Sequence, residues 1–319
     1  MPELEINWEI TKGCNLRCIY CRPDAARALP NELTLSEVLT AIDHLSQLGY
    51  THFKFTGGEP LYRPDFWQIA EHIKSNGADV SIITNALLIN SDNIDRCIDT
   101  FRAIGVSIDS LDKKTNDALG RKRSEYSRSQ IELLVNRGAC VALLCTISAA
   151  NRAHIGDILD FANNLGIKLI KFNDVSMEGR ALQHSHKLQL QQPFITEFNS
   201  FSKVVRAHMQ EEVELQESFK CECSSSNLFI DATGAVYPCV ELAYADDPHR
   251  FALGNLRSDN VKHMFAINRR FYSKIQPQDT CAYSYASSPS VSLCLNNRRC
   301  PATLSGYMSE AKLYAIQRQ

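Results

Sequence analysis

Six short apolar runs alternate with amphipathic stretches over the first 175 residues, and this alternation restricts the fold more than any other feature. The runs lie at 4–10, 52–56, 79–84, 103–109, 140–147 and 168–174. Each is bounded by Gly, Asn, Asp or Lys and is short, which predicts strands. Between the first two, "LTLSEVLTAIDHLSQLG" puts Leu35, Val38, Leu39, Ile42 and Leu45 on one helical face, with Gly49 as the stop. Further helices are predicted at 64–76, 90–99, 126–137 and 153–165. Strand–helix units in series make a parallel sheet with helical crossovers. Six units fall short of a closed eight-stranded barrel, so the predicted fold class is α/β, a partial (β/α)6 TIM-like barrel.

In such a sheet the chemistry gathers at the carboxyl ends of the strands. Cys14, Cys18 and Cys21 follow the first predicted strand, and Gly57, Gly58, Glu59 and Pro60 follow the second. Asn85 follows the third, and Ser107 and Asp109 end the fourth. All four stretches are therefore predicted to face one mouth. The segment 176–218 reads as a connection with one long helix near 193–214. After Lys220 helical periodicity fades and six cysteines fall in a loop-like stretch. The predicted organisation is a barrel domain over 1–180, a linker helix region over 181–215, and a small Cys-rich C-terminal domain over 216–319.

Apolar residues make up 44% of the 319, enough to bury a sizeable core. Lys plus Arg number 34 against 36 Asp plus Glu, a formal charge of -2 with no footprint for nucleic acid or an anionic membrane. No apolar run reaches membrane-spanning length, and "MPELEINWEI" lacks the basic start of a signal peptide, which predicts a cytoplasmic protein. There thiols stay reduced, so clustered cysteines read as metal ligands or catalytic groups before disulfides. Of the twelve cysteines, Cys97, Cys140 and Cys145 are scattered and read as small buried hydrophobes.

"KGCNLRCIYCRPD" supplies three thiolates from one loop, spaced Cys14-x3-Cys18-x2-Cys21. A structural zinc is normally closed by four protein ligands. Three thiolates on a cubane [4Fe–4S] cluster leave one iron open to coordinate a small molecule. With Tyr20 before the third cysteine, "TGGEP" at 56–60 and "VSIDS" at 106–110, the chain resembles the radical S-adenosylmethionine (radical SAM) superfamily. The resemblance implies that Cys14, Cys18 and Cys21 ligate the cluster and that SAM fills the open iron. It implies reductive cleavage of SAM to a 5′-deoxyadenosyl radical, which abstracts hydrogen from substrate. It places Tyr20 against the adenine, Gly57, Gly58 and Glu59 at the methionine amino group, and Ser107 and Asp109 at the ribose or methionyl end. Asn85 stands in "ITNA", where the family often has Thr-Asn-Gly. Arg121 or Arg123 is a candidate for the SAM carboxylate, with solvated surface arginine as the alternative.

"CECSSSNLFIDATGAVYPC" at 221–239 and "CLNNRRCPA" at 294–302 resemble the SPASM or "twitch" extension of these enzymes, and "VSMEGRA" at 175–181 is similar to the segment that precedes it. The resemblance implies at least one auxiliary iron–sulfur cluster of the [4Fe–4S] type, held by Cys221, Cys239, Cys294 and Cys300. Cys223 or Cys281 can replace Cys294, because the family's C-x2-C-x5-C-x3-C block is broken and Leu304 stands four residues beyond Cys300, where that block has its last cysteine. A zinc site on the same residues is the alternative. Cys223, if not a ligand, is a candidate hydrogen donor to a substrate radical, against the plainer reading of an inert thiol.

The resemblance implies maturation of a ribosomally made peptide by crosslinking, epimerisation or excision. The alternative is dehydrogenation or epimerisation of a sugar or aminocyclitol in an antibiotic pathway. Nucleotide rearrangement is disfavoured by the ending "YAIQRQ", which lacks a double glycine. Cluster cysteines from residue 14 onward leave no N-terminal peptide-recognition domain, so the expected partners are a precursor peptide, held either by a separate leader-binding protein or by the chain's own barrel and tail, and a flavodoxin- or ferredoxin-type reductant.

Overall fold

The six predicted strands form, side by side and parallel, the main part of one sheet. In a computed structural model, which describes residues 4–191, 227–245, 247–264 and 266, they are β1 (Glu5–Glu9), β2 (His52–Thr56), β3 (Asp79–Thr84), β4 (Phe101–Ser107), β5 (Val141–Ile147) and β6 (Leu169–Asp174). They lie in the order β6-β5-β4-β3-β2-β1. Burial alternates strictly along β2 and β5, so one face packs on helices while the other faces the lumen of a partial barrel. The helices are α1 (Leu35–Gln47), α2 (Phe66–Ser75), α3 (Ile94–Thr100), α4 (Lys113–Ala118), α5 (Ser124–Asn136) and α6 (Ile155–Asn164). The Thr34 side chain and Glu37 form a reciprocal capping box that starts α1, whose Val38, Ala41, Ile42 and Leu45 are buried.

Two local readings shift. The helix predicted from 90 begins at Ile94, because Asn90 and Asn93 close a polar turn first, with the Asn90 N–H donating to Asn93 Oδ1 at 2.9 Å. The strand predicted over 103–109 runs from Phe101 to Ser107, releasing Asp109 to leave the ladder. The short α4 was not predicted; Asp112 caps it by accepting from the Thr115 N–H at 2.7 Å.

The sheet does not stop at β1. β7 (Asn227–Ile230) adds in parallel on its other edge, and β8 (Ala235–Tyr237) and β9 (Gly254–Asn255) continue antiparallel. Two short helices, α7 (Ser185–Leu188) and α8 (Val240–Ala243), flank the mouth. The part of the chain predicted as a Cys-rich extension thus begins, among the described residues, by extending the barrel sheet beside the strand that launches the cysteine loop. Among the described residues, no helix is long and apolar enough to cross a membrane. The helix predicted near 193–214 lies outside the described residues.

On the lumenal face the floor is polar. Glu5 accepts from Lys54 Nζ at 2.7 Å and pairs with His52 at 3.0 Å, and His52 reaches Ser81 at 2.8 Å. On the other face the core centres on Trp8, Phe53, Phe55 and Phe66, all fully buried. Phe55 meets Phe66 edge-to-face at 5.3 Å and Trp8 at 6.0 Å. Phe55→Ala is therefore expected to lower stability by about 3–5 kcal/mol, read as a fall in the urea midpoint at unchanged slope.

Candidate functional site

The segment from Thr11 to Ala26 leaves β1 and folds back on itself. Gly13 and Ala26 form a lone bridge, with the Cys14 N–H donating to Ala26 O at 3.1 Å and the Ala26 N–H to Lys12 O at 2.9 Å. The turn between them presents Cys14, Cys18 and Cys21, all free thiols and partly buried. Two backbone donors already point at sulfur: the Leu16 N–H at Cys14 Sγ (3.4 Å) and the Ala25 N–H at Cys21 Sγ (3.3 Å). Burial pushes the Cys14 thiol up to about 11 and also raises Cys21. Thiols in this setting ionise only against a strong cation, which suits iron ligation. Three thiolates match a cubane cluster with one open iron, whereas a structural zinc is normally closed by four protein ligands.

The glycines after β2 are demanded by the cysteine loop. The Gly58 N–H donates to Thr11 O at 2.7 Å and the Glu59 N–H to Gly13 O at 2.8 Å. A Cβ on Gly58 would sit 2.1 Å from Gly13 O, and one on Gly57 (φ +134°) 2.4 Å from Thr11 O. Glu59 turns inward, fully buried. Its carboxylate accepts from Thr84 Oγ1 at 2.7 Å and from the Asn85 N–H at 2.8 Å, tying the end of β3 to the turn after β2.

Cys14, Cys18, Tyr20, Cys21, Gly57, Gly58, Asn85 and Ser107 all line one cavity of about 390 Å³ at the carboxyl ends of the strands. Asn85 Nδ2 donates to Asn15 Oδ1 at 2.8 Å, holding the loop. Asp109 lies beneath this lining rather than on it. Its carboxylate accepts from the Tyr20 hydroxyl, from Arg121 Nε at 2.6 Å and from the Thr146 N–H at 2.9 Å. Arg121 also donates to Tyr20 Oη at 2.7 Å and to Ser107 O at 3.1 Å. Arg121 is buried and lines the cavity, which overturns the surface alternative for it. Arg123 is exposed and lies over the Tyr126 ring at 4.8 Å. Cys97 and Cys145 are buried as predicted, while Cys140 is exposed.

Sequence reasoning missed the groups that hold the loop from behind. Arg180 donates to Cys18 O at 2.8 Å and to Ala25 O at 2.7 Å, and its own N–H goes to Cys21 O at 3.0 Å. Arg22 bonds Glu178 and takes Glu241 in a two-pronged pair at 2.9 and 2.7 Å. Its guanidinium lies 4.7 Å from the Tyr244 ring, whose hydroxyl donates to Glu9. The signal was present in "VSMEGRA", which supplies Glu178 and Arg180, but nothing in it states what they touch. Cys239 is partly buried at the start of α8, two residues before Glu241. Cys221, Cys223, Cys281, Cys294 and Cys300 lie outside the described residues. A larger groove of about 530 Å³ lies between α1 and residues 256–262, away from the thiols.

The comparisons agree with this geometry. A profile of the radical SAM superfamily matches residues 8–162, and one of the SPASM iron–sulfur cluster-binding domain matches residues 221–301. An AdoMet-dependent heme synthase of Methanosarcina barkeri is 32% identical over 169 residues, 50% of this chain and 47% of that protein. The mycofactocin maturase MftC of Mycobacterium ulcerans is 28% identical over 163 residues, 49% of this chain and 42% of that protein. The match thus spans less than half the length of each. The solved structure of anSMEcpe with bound AdoMet and the Cp18Cys peptide superposes with a TM-score of 0.65 at 17% identity, covering 99% of this chain and 98% of that one.

Two outcomes are expected. Gly58→Ala pushes the turn away from Gly13 O and should lower iron content at the first cluster while far-ultraviolet circular dichroism stays unchanged. Burial outweighs its donors and raises Glu59 from 4.5 to about 7. In the unfolded chain the carboxyl ionises at its ordinary value, so stability falls as pH climbs from 4.5 to 7 and is flat in this group beyond both limits. Glu59→Gln should remove that slope, about 3 kcal/mol, measured as the wild-type-minus-variant difference in urea unfolding of the iron-free chain at pH 5 and pH 7.5.

Proposed function

Because this chain belongs to the radical SAM superfamily and carries a SPASM iron–sulfur domain, we propose that it cleaves SAM reductively and abstracts hydrogen from a peptide, maturing a ribosomally made precursor. The observation that carries the reading is convergence: three free thiols and the Tyr20, Gly57, Gly58, Asn85 and Ser107 surfaces share one cavity. The family's cofactors are a [4Fe–4S] cluster, SAM and an auxiliary iron–sulfur cluster. When bound, the first two supply one-electron cleavage of SAM and a hydrogen-abstracting radical.

The chain's own residues do the rest. Cys14, Cys18 and Cys21 hold the cluster, and Arg180 keeps their loop from shifting by occupying its carbonyls. Gly57 and Gly58 bring backbone close enough for SAM to lie against the turn. Tyr20, locked by Asp109 and Arg121, offers a fixed ring face to the adenine. Asn85 and Ser107 supply hydrogen-bonding groups along the SAM path. Asp109 and Glu59 act as positioning residues, since their carboxylates are turned to protein partners. Cys221, Cys239, Cys294 and Cys300 are the ligand set for the auxiliary cluster, and Cys223 is the candidate hydrogen donor. A flavodoxin- or ferredoxin-type protein supplies the electron.

The peptide reading is supported by the likeness to a maturase and to a structure that holds a peptide. The 32% identity to a heme synthase favours a tetrapyrrole as the second reading. The deciding experiment is anaerobic turnover of the reconstituted enzyme with SAM and dithionite. A precursor peptide encoded beside the gene should raise 5′-deoxyadenosine formation well above background. No stimulation by that peptide, with stimulation by an iron-free porphyrin, would transfer the assignment to tetrapyrroles. Cys18→Ala should lose about four irons per chain and all 5′-deoxyadenosine.

A further inference from the structure

Three cations line the cavity among the described residues: Arg22, Arg121 and Lys171. Two are already matched. Arg22 lies between Glu178 and Glu241, and Arg121 rests on Asp109. The Lys171 ammonium makes no hydrogen bond or ion pair with any described residue. It stands in β6 and pairs in register with Leu144 of β5, which pairs with Ser107 of β4. Neighbouring strands lie about 4.8 Å apart, so Lys171 is about 10 Å across the sheet from Ser107. Asn173, one lumenal step further along β6, and its register partner Thr146 line the same cavity.

The Lys171 side chain is exposed to the lumen, and no described residue pairs with its charge. The carboxylates that favour its charge, Glu241 and Glu5, are engaged elsewhere: Glu241 with Arg22, and Glu5 with Lys54 and His52. The plain alternative is a lysine that extends along apolar surface and is satisfied by water. Against it, the site has hydrogen-bonding neighbours and lies across the lumen from the thiols. A lumenal cation with no counter-ion among the described residues can take up an anion that arrives with a ligand.

We infer that Lys171 is an anion subsite for the substrate, binding a carboxylate with Asn173 and Thr146 as neutral hydrogen-bonding neighbours. The inference rests on the peptide reading above, in which the carboxylate is an Asp or Glu side chain or the chain terminus. It is a specificity residue and takes no proton or electron in the reaction.

The test uses the reconstituted holoenzyme with SAM under nitrogen. Binding is measured by saturation-transfer nuclear magnetic resonance for four probes: acetyl-Ala-Glu-Ala-amide, acetyl-Ala-Gln-Ala-amide, acetyl-Ala-Gln-Ala with a free carboxyl terminus, and glutarate. At least one carboxylate peptide should bind about tenfold more tightly than the neutral one. Lys171→Met should abolish that preference and Lys171→Arg should keep it, both at unchanged iron content and SAM affinity. Which acidic peptide is preferred tells side chain from terminus. Equal binding of acidic and neutral peptides to the wild type overturns the inference, as does no binding of any probe. A loss of SAM affinity in Lys171→Met also overturns it, because the carboxylate served would then be that of SAM. Glutarate binding that depends on Lys171, with no peptide binding, keeps the anion subsite and removes the peptide reading instead.

Discussion

The guanidinium of Arg180 gives the cysteine loop a scaffold that the loop lacks by itself. A turn that presents three thiols in one direction cannot satisfy its carbonyls through a helix or a ladder, and buried carbonyls left unpaired are costly. Arg180 reaches Cys18 O and Ala25 O at once, and its backbone N–H takes Cys21 O. A planar fork suits this task where a lysine would serve one acceptor at a time. Arg22 repeats the logic one residue after the last thiol, bridging Glu178 and Glu241. These two arginines fix the loop that presents the thiols.

The charged groups of the mouth separate into two kinds. Asp109, beneath the cavity, pairs with Arg121 and Tyr20 in its wall, and Glu59 spends its oxygens on Thr84 and Asn85. Buried networks of this kind add little net stability, because desolvation offsets the attraction. What they add here is geometry: the Tyr20 ring and the turn after β2 have one arrangement each. A preorganised site of this type spends no free energy reorganising when the reaction occurs. Lys171 is of the other kind, a cation with no ion-pair partner among the described residues.

The pairing of β7 with β1 joins these parts. β1 launches the cysteine loop, β2 on one side supplies the glycine turn, and β7 on the other leads through β8 to α8. Glu241 in α8 grips Arg22, and Tyr244 just beyond it meets Glu9 at the end of β1. Cys239, an auxiliary-ligand candidate, is therefore two residues from a group bonded to the neighbour of Cys21. The start of the C-terminal extension is mechanically part of the first site.

Much of this was legible in the chain, for local reasons. Strand length and alternation depend on near neighbours, so β2, β3, β5 and β6 fall within one residue of the predicted runs. The thiol spacing and the paired glycines could be read because each reports a backbone requirement of its own loop. What could not be read depends on residues far apart in sequence. Arg22 and Glu241 are 219 residues apart, and no local pattern marks them as partners. The "VSIDS" stretch does not say that Asp109 turns under the cavity while Ser107 stays on it, and Arg121 has the composition of a surface residue until Asp109 and Tyr20 enclose it. The sequence by itself determined which elements form and which atoms can bind iron. The tertiary structure decided which charges are consumed inside the protein and which face the lumen, because desolvation and pairing depend on neighbours that only the folded chain brings together.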